Sequence, residues 1–266
     1  MPILHAIILG LVQGLTEFLP VSSSGHLIVF PELLGWDVSS VTFDVAIHVA
    51  TLGAIVVALK DDIIKVIKGI VKNNENDKSL ALKIVVATIP AVVIGGLFHN
   101  AFESWRSMTV VGAMLIVWGV VLFVADEVAK RTPRMVLLTE KMPWLAVLLI
   151  GLAQVLAFVP GTSRSGVTMS VGLLAGLSKE TAAKFSFFLA IPAILGAGAV
   201  TFLEVLQNGL DVPIPSLVAG SIAAFVSGIF AIRFLLLIIK KWSFAPFAIY
   251  RVVFGVILLI VSVLKY

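Results

Sequence analysis

Two short runs of polar residues interrupt stretches that are otherwise apolar, and they hold the side chains able to do chemistry. The first is Gln13-Gly-Leu-Thr-Glu17-Phe-Leu-Pro20-Val-Ser22-Ser23-Ser24-Gly25-His26; the second is Pro160-Gly161-Thr162-Ser163-Arg164-Ser165-Gly166-Val-Thr168. Gln13 and Glu17 are four apart, so on a helix they share one face. Each run carries a proline followed by small polar residues, the pattern of one helix ending and another being capped. If the two breaks meet, a carboxylate, an imidazole, a guanidinium and several hydroxyls converge. The second helix of each pair also starts there, and its free N–H groups favour an anion, phosphate above all. Arg164 adds a fork suited to bidentate phosphate contact, and Glu17 could hold a divalent cation, whose natural ligands are carboxylate, carbonyl and phosphate oxygens. Charge neutralisation, a positioned hydroxyl and a proton-transfer group are what phosphoryl transfer needs.

The elements that must position these residues are membrane helices. Of the 266 residues 60% are hydrophobic and 13% charged, and the mean hydropathy is +1.13. A soluble domain carries about 25% charged residues, so the solvent for most of this chain is lipid. With about 20 apolar residues needed per crossing, spans are expected at 43–59, 84–98, 108–125, 185–204, 216–239 and 247–265. The regions 1–36 and 144–180 each read as helix–loop–helix. Non-helical backbone at membrane depth survives only inside protein or beside a water-filled cavity, which makes both re-entrant hairpins. The expected fold is therefore all-α: a polytopic membrane protein of about six transmembrane helices plus two re-entrant hairpins. With no cysteine, disulfides, thiolate metal sites and a cysteine nucleophile are excluded. The first 30 residues lack a basic region and a small-residue cleavage site, and are expected to be mature structure.

Basic residues set the orientation. Fourteen fall on one side, in the segments 60–83 and 126–143 and at Lys179, Lys184, Lys240 and Lys241, against Arg106 and Lys265 on the other. The lysine-rich segments, including the polar stretch 73–78 as a solvated loop, are thus expected in the cytoplasm, and this distribution argues against a nucleic-acid surface. Hairpin 1–36 then begins and ends outside while 144–180 begins and ends inside, so their tips can meet near the midplane. The two hairpins are also alike in sequence, Gly10 to Gly25 lining up with Gly151 to Gly166. The domains follow: a first repeat at 1–125, a cytoplasmic linker at 126–143 and a second repeat at 144–266. An odd number of spans per repeat makes the two halves an inverted-topology pair within one integrated membrane domain.

Together the two motifs resemble those of the undecaprenyl pyrophosphate phosphatase (bacitracin-resistance) family, with its Glu/Gln-x-x-x-Glu and Ser-Ser-Gly-His segments and its P-G-x-S-R-S-x-x-T loop; the similarity covers essentially the whole chain. The resemblance implies an integral membrane enzyme that hydrolyses a polyprenyl pyrophosphate lipid to the monophosphate, recycling the carrier for cell-wall synthesis. It implies a multi-pass protein of the plasma (inner) membrane, a site open to the outer face, and a divalent metal ion, Mg or Ca; it leaves room for a homodimer. Residue by residue, Glu17 and Gln13 match metal or pyrophosphate handling, with Gln13 offering a neutral amide where some members have a second carboxylate. Ser23 and His26 match nucleophile and general base, with attack by His26 itself or by water as alternatives. Arg164, Ser163, Ser165, Thr168, Ser22, Gly161 and Thr162 match the pyrophosphate-binding loops. The competing function is a transporter or flippase of a polyprenyl phosphate carrier, suggested by the inverted halves.

Other polar residues have plainer readings. Asp44 and His48, four apart near the outer end of a span, cap it or pair with each other, with a place in the substrate site as the alternative. Arg233 and Arg251 snorkel or find structural partners.

Overall fold

The computed structural model describes residues 1–38, 40–71, 74–131 and 142–265. Six of its helices are long and apolar enough to cross a membrane: α3 (Val41–Ala58), Lys78–Phe98 within α5 (Glu75–Glu103), α6 (Met108–Arg131), α9 (Lys179–Asn208), α10 (Ile214–Ile238) and α11 (Ala245–Lys265). Only 28–39% of each span's most apolar window is buried. The rest presents side chains such as Phe202, Phe230 and Val263 outward, a surface that only lipid can cover. This is a multi-pass membrane protein, all-helical among the described residues.

Between the spans lie four short helices in two broken pairs. α1 (Ile3–Phe18) ends before Pro20, and α2 (Ser23–Leu34) follows. α7 (Trp144–Val155) runs into a 3₁₀ turn at Leu156–Phe158 and stops before Pro160; α8 (Arg164–Leu174) follows. At a rise of about 1.5 Å per residue, α2 and α8 reach roughly half the depth of a bilayer core.

Small residues decide how these helices pack. α1 lies chiefly against α10, and α7 against α5. A Cβ on Gly10 would sit 2.2 Å from the Gly220 carbonyl oxygen, and one on Gly151 would sit 2.6 Å from that of Ala87. Backbones that approach this closely leave room only for glycine, the usual device of helix association in lipid. Each broken pair thus packs on a span from the other half of the sequence, while α6 meets α11 and α3 meets α9.

Two segments differ from the sequence reading. Residues 60–71 form an amphipathic helix, α4 (Lys60–Val71), and residues 75–78 of the stretch expected as a loop already belong to α5. The lysines of α4 alternate with Ile63, Ile64, Ile67 and Ile70, a pattern that suits a helix lying along an apolar surface. Lys83, counted toward the lysine-rich side, is buried with its ammonium 5.5 Å from the Trp144 ring centroid. α6 continues to Arg131 into the expected linker; residues 132–141 of that linker, and Lys72 and Asn73, lie outside the described residues.

Candidate active site

The two breaks are built alike. Ser22 caps α2 and accepts a hydrogen bond from Gly25 N at 3.3 Å; Ser163 caps α8 and accepts one from Gly166 N at 3.0 Å. Both serines are held at positive φ, 77° and 73°, and they are the two non-glycine residues so held among those described. That conformation costs a non-glycine residue about 1–3 kcal/mol and persists where the surroundings over-determine it. Here they do: a Cβ on Gly161 (φ 90°) would lie 2.5 Å from the Val111 carbonyl oxygen, so the second break is pressed against α6.

The breaks touch through their polar tips. Glu17, buried in the last turn of α1, accepts at Oε1 from Arg164 Nη2 at 2.7 Å and at Oε2 from Ser23 Oγ at 2.6 Å. Gln13 Nε2, one turn back, donates to the same Oε2 at 3.1 Å. Ser165 Oγ crosses to the Leu19 carbonyl at 3.0 Å. Arg164 is steadied from α9, donating from Nη1 to the Ser186 carbonyl at 3.2 Å. Thr168 Oγ1 donates to Ser186 Oγ at 2.7 Å and also lies 2.7 Å from the Arg164 carbonyl. The buried carboxylate and the part-buried guanidinium neutralise one another, which is what makes either charge tolerable away from water.

This cluster faces a cavity of about 590 Å³. Glu17, Ser23, Ser24, His48, Ser163 and Arg164 form its polar floor; Asp44, Arg106 and Glu204 also line it, and Val41, Val45, Ala193, Ile194 and Ala197 of α3 and α9 supply an apolar side. The combination suits a ligand with a charged head and a hydrocarbon tail.

Not every residue singled out from the sequence reaches the cavity. Glu17, Ser23, Ser163 and Arg164 line it; Gln13, Ser165 and Thr168 stand behind them; Ser22 is the α2 cap, and Gly161 and Thr162 lie in the second break. His26, read as the base for Ser23, is placed otherwise. Its Nδ1 lies 2.6 Å from the Ser22 carbonyl, and its Nε2 lies 2.6 Å from Tyr250 Oη. A carbonyl only accepts, so Nδ1 carries the proton and Nε2 accepts from the phenol; both nitrogens are engaged, and the Ser23 hydroxyl goes to Glu17.

Sequence reasoning underweighted three groups. From the sequence His48 is first a cap or a partner of the Asp44 side chain, and only second a substrate-site residue. Its Nδ1 instead meets the Asp44 carbonyl at 2.6 Å, leaving Nε2 in the cavity 3.6 Å from Glu17 Oε2, while the Asp44 carboxylate lies 3.7 Å from Arg106. Ser186 shows no local signal in its span. Arg251 does, as a charge within an apolar stretch, but nothing nearby in sequence says what it meets.

Family comparison agrees with the architecture and the motifs. Residues 6–257 match the family described as Bacitracin resistance protein BacA. The chain is 43% identical over 265 residues to an undecaprenyl-diphosphatase of Alteromonas mediterranea, covering 97% of this chain and 98% of that one. It is 43% identical over 264 residues to an undecaprenyl-diphosphatase of Caldicellulosiruptor bescii, covering 98% of each. It is 39% identical over 263 residues to one of Chromohalobacter salexigens, covering 97% of this chain and 98% of that one. With motifs, span number and near full-length identity in agreement, the chain belongs to the bacitracin resistance protein BacA family.

Proposed function

We propose that this protein is an undecaprenyl-diphosphatase, hydrolysing undecaprenyl (polyprenyl) diphosphate to the monophosphate and inorganic phosphate. It thereby recycles the lipid carrier and confers resistance to bacitracin. The observation that carries the reading is the Glu17 carboxylate held between the Ser23 hydroxyl at 2.6 Å and the Arg164 guanidinium at 2.7 Å, beside a cavity with an apolar side.

In the mechanism this geometry supports, Ser23 Oγ attacks the terminal phosphorus. Its proton passes to Glu17 Oε2, to which it is already hydrogen-bonded, and the bond from that phosphorus to the bridging oxygen breaks. The bond electrons leave with the polyprenyl monophosphate. Water then hydrolyses the phosphoserine, releasing inorganic phosphate and restoring the hydroxyl. Arg164 and the N-terminal amides of α2 and α8 stabilise charge on the transferring group in a site away from bulk water. Hydrophobic contact along α3 and α9 holds the tail and orients the head. His26 positions the start of α2 through its bonds to Ser22 and Tyr250.

The residues present also fit a divalent cation carried largely by the substrate. Gln13 Oε1 is buried without a partner, beside Glu17, and together they offer an amide oxygen and a carboxylate. No cluster of three or more His, Cys, Asp or Glu exists among the described residues, so phosphate and water oxygens would complete the shell, as is usual for Mg. When bound, the ion neutralises diphosphate charge.

We place the enzyme in the plasma (inner) membrane with the cavity open outward and the broken pairs as re-entrant hairpins of an inverted repeat. Cross-packing of α1 on α10 and α7 on α5 supports this. The absence of native cysteines allows a direct check. Cysteines at exposed Asp37 and Ser107 should react with an impermeant maleimide from outside, and one at Lys240 should not. The activity test is phosphate release by purified protein from a polyprenyl diphosphate, with and without a chelator. Release that needs Ser23 supports the reading. A protein that moves labelled lipid phosphate between leaflets and releases none is a transporter, and the reading fails.

A further inference from the structure

Arg251 of α11 is the largest fully buried side chain among the described residues, at 0% exposure. Among the described residues its partners are backbone carbonyls and no carboxylate. Nη1 donates to Pro20 O at 3.1 Å, in the first break. Nη2 donates to Gly161 O at 3.1 Å and Thr162 O at 2.8 Å, in the second. Longer bonds at 3.4 Å run from Nε to Leu115 O and from Nη2 to Met114 O of α6. The guanidinium thus ties three segments that are far apart in the chain, and Gly166 leaves it room, since a Cβ there would lie 2.6 Å from Nη1. A buried charge without a counterion is costly, and one spent on carbonyls of irregular backbone points to a demand on that backbone. The neighbouring residue reinforces it: Tyr250 donates to His26 at the start of α2.

We infer that Arg251 is a positioning residue for phosphoryl transfer, setting the distance between the break that carries Ser23 and the break that carries Arg164. The inference rests on the proposed diphosphatase reading. Only arginine has five N–H donors in a rigid fork able to reach two loops and a helix at once; lysine offers three donors from one atom. Loss of the fork removes none of Glu17, Ser23 and Arg164 but lets the breaks that carry them drift apart, and small misplacements are costly in rate.

The test is Arg251→Lys in the full chain, with phosphate release, thermal midpoint and amide exchange at residues 19–25 and 160–166 measured together. Arg233→Lys, at an exposed arginine of α10, is the control. Expected for Arg251→Lys is a fall in kcat of about tenfold or more, KM within about threefold, a thermal midpoint close to that of the parent, and faster exchange confined to the two breaks. Unchanged kcat, a loss carried by KM alone, or a loss shared by Arg233→Lys would overturn it. So would failure of Arg251→Lys to fold, which would make Arg251 a residue of global stability. If the parent chain releases no phosphate, it is the function reading that falls.

Discussion

The two broken segments share a backbone and divide the chemistry. Each has a glutamine in its first helix, a proline, a serine at positive φ capping the second helix, and a glycine whose amide that serine accepts. Two of their differences, at equivalent places, divide the chemistry. Four residues after the glutamine stands Glu17 in one and Phe158 in the other; directly after the capping serine stands Ser23 in one and Arg164 in the other. Ser23 and Arg164, at matching positions, take one oxygen each of the single carboxylate. A fully symmetric pair would bury two like charges, which repel strongly in a medium of low dielectric. The asymmetric pair sets one cation against one buried anion, and leaves a hydroxyl on the anion's other oxygen. The shared backbone supplies the scaffold, and the departures from it supply the site.

The sharpest way to break this comparison is to remove the lone carboxylate. Glu17→Gln is expected to lower phosphate release by about a hundredfold or more, since Ser23 loses its proton acceptor and Arg164 its counter-charge. A rate near that of the parent would mean that the chemistry does not depend on the asymmetry. Next come the paired positions themselves. Ser23→Ala and Arg164→Lys should each cost about tenfold or more in kcat, at least about 1.4 kcal/mol in barrier; Ser23→Ala with full activity would remove the serine from the reaction.

The two glutamines give a smaller, cleaner contrast. Gln13 holds Glu17, whereas both amide atoms of buried Gln154 have no partner. Gln13→Leu should therefore slow turnover by about three- to tenfold, through a lost hydrogen bond worth roughly 1 kcal/mol. Gln154→Leu should leave turnover alone and raise the unfolding free energy by about 1 kcal/mol, by removing an unsatisfied amide. Thermal unfolding in detergent alongside the activity assay separates them, and a swap of those two outcomes would reverse the roles of the two breaks. The smallest effect is at the caps. Ser22→Gly and Ser163→Gly each relieve the positive φ and lose one cap bond, so stability should move by less than about 1 kcal/mol in either case. A large loss at one alone would show that its hydroxyl does more than cap.

Much of this was legible in one dimension. The spans are runs of about 20 apolar residues, and lipid imposes that length whatever the neighbours. The breaks announce themselves through Pro20 and Pro160 and the small polar residues after them, because proline and capping act locally. Glu17 and Arg164 stand out since a charge at membrane depth needs a reason. The helix at residues 60–71 escapes the sequence reading for an equally local cause: its lysines mark a solvated segment, although the isoleucines between them follow a helical period.

What the chain order could not say is which groups meet across it. Arg251 is 231 positions from Pro20, and Tyr250 is 224 from His26; no pattern along the sequence links them. His26 follows the serine run and looks like the base for Ser23, but its ring is taken up by Tyr250, while His48 from another helix stands beside Glu17. Sequence determined the number of crossings, the two interruptions and the inventory of reactive groups, since hydropathy, proline and buried charge are properties of a residue and its near neighbours. Tertiary structure alone decided that one carboxylate would be shared between two tips and that a distant arginine would tie them, because hydrogen bonds between segments depend on close packing that glycine contacts such as Gly10 on Gly220 permit.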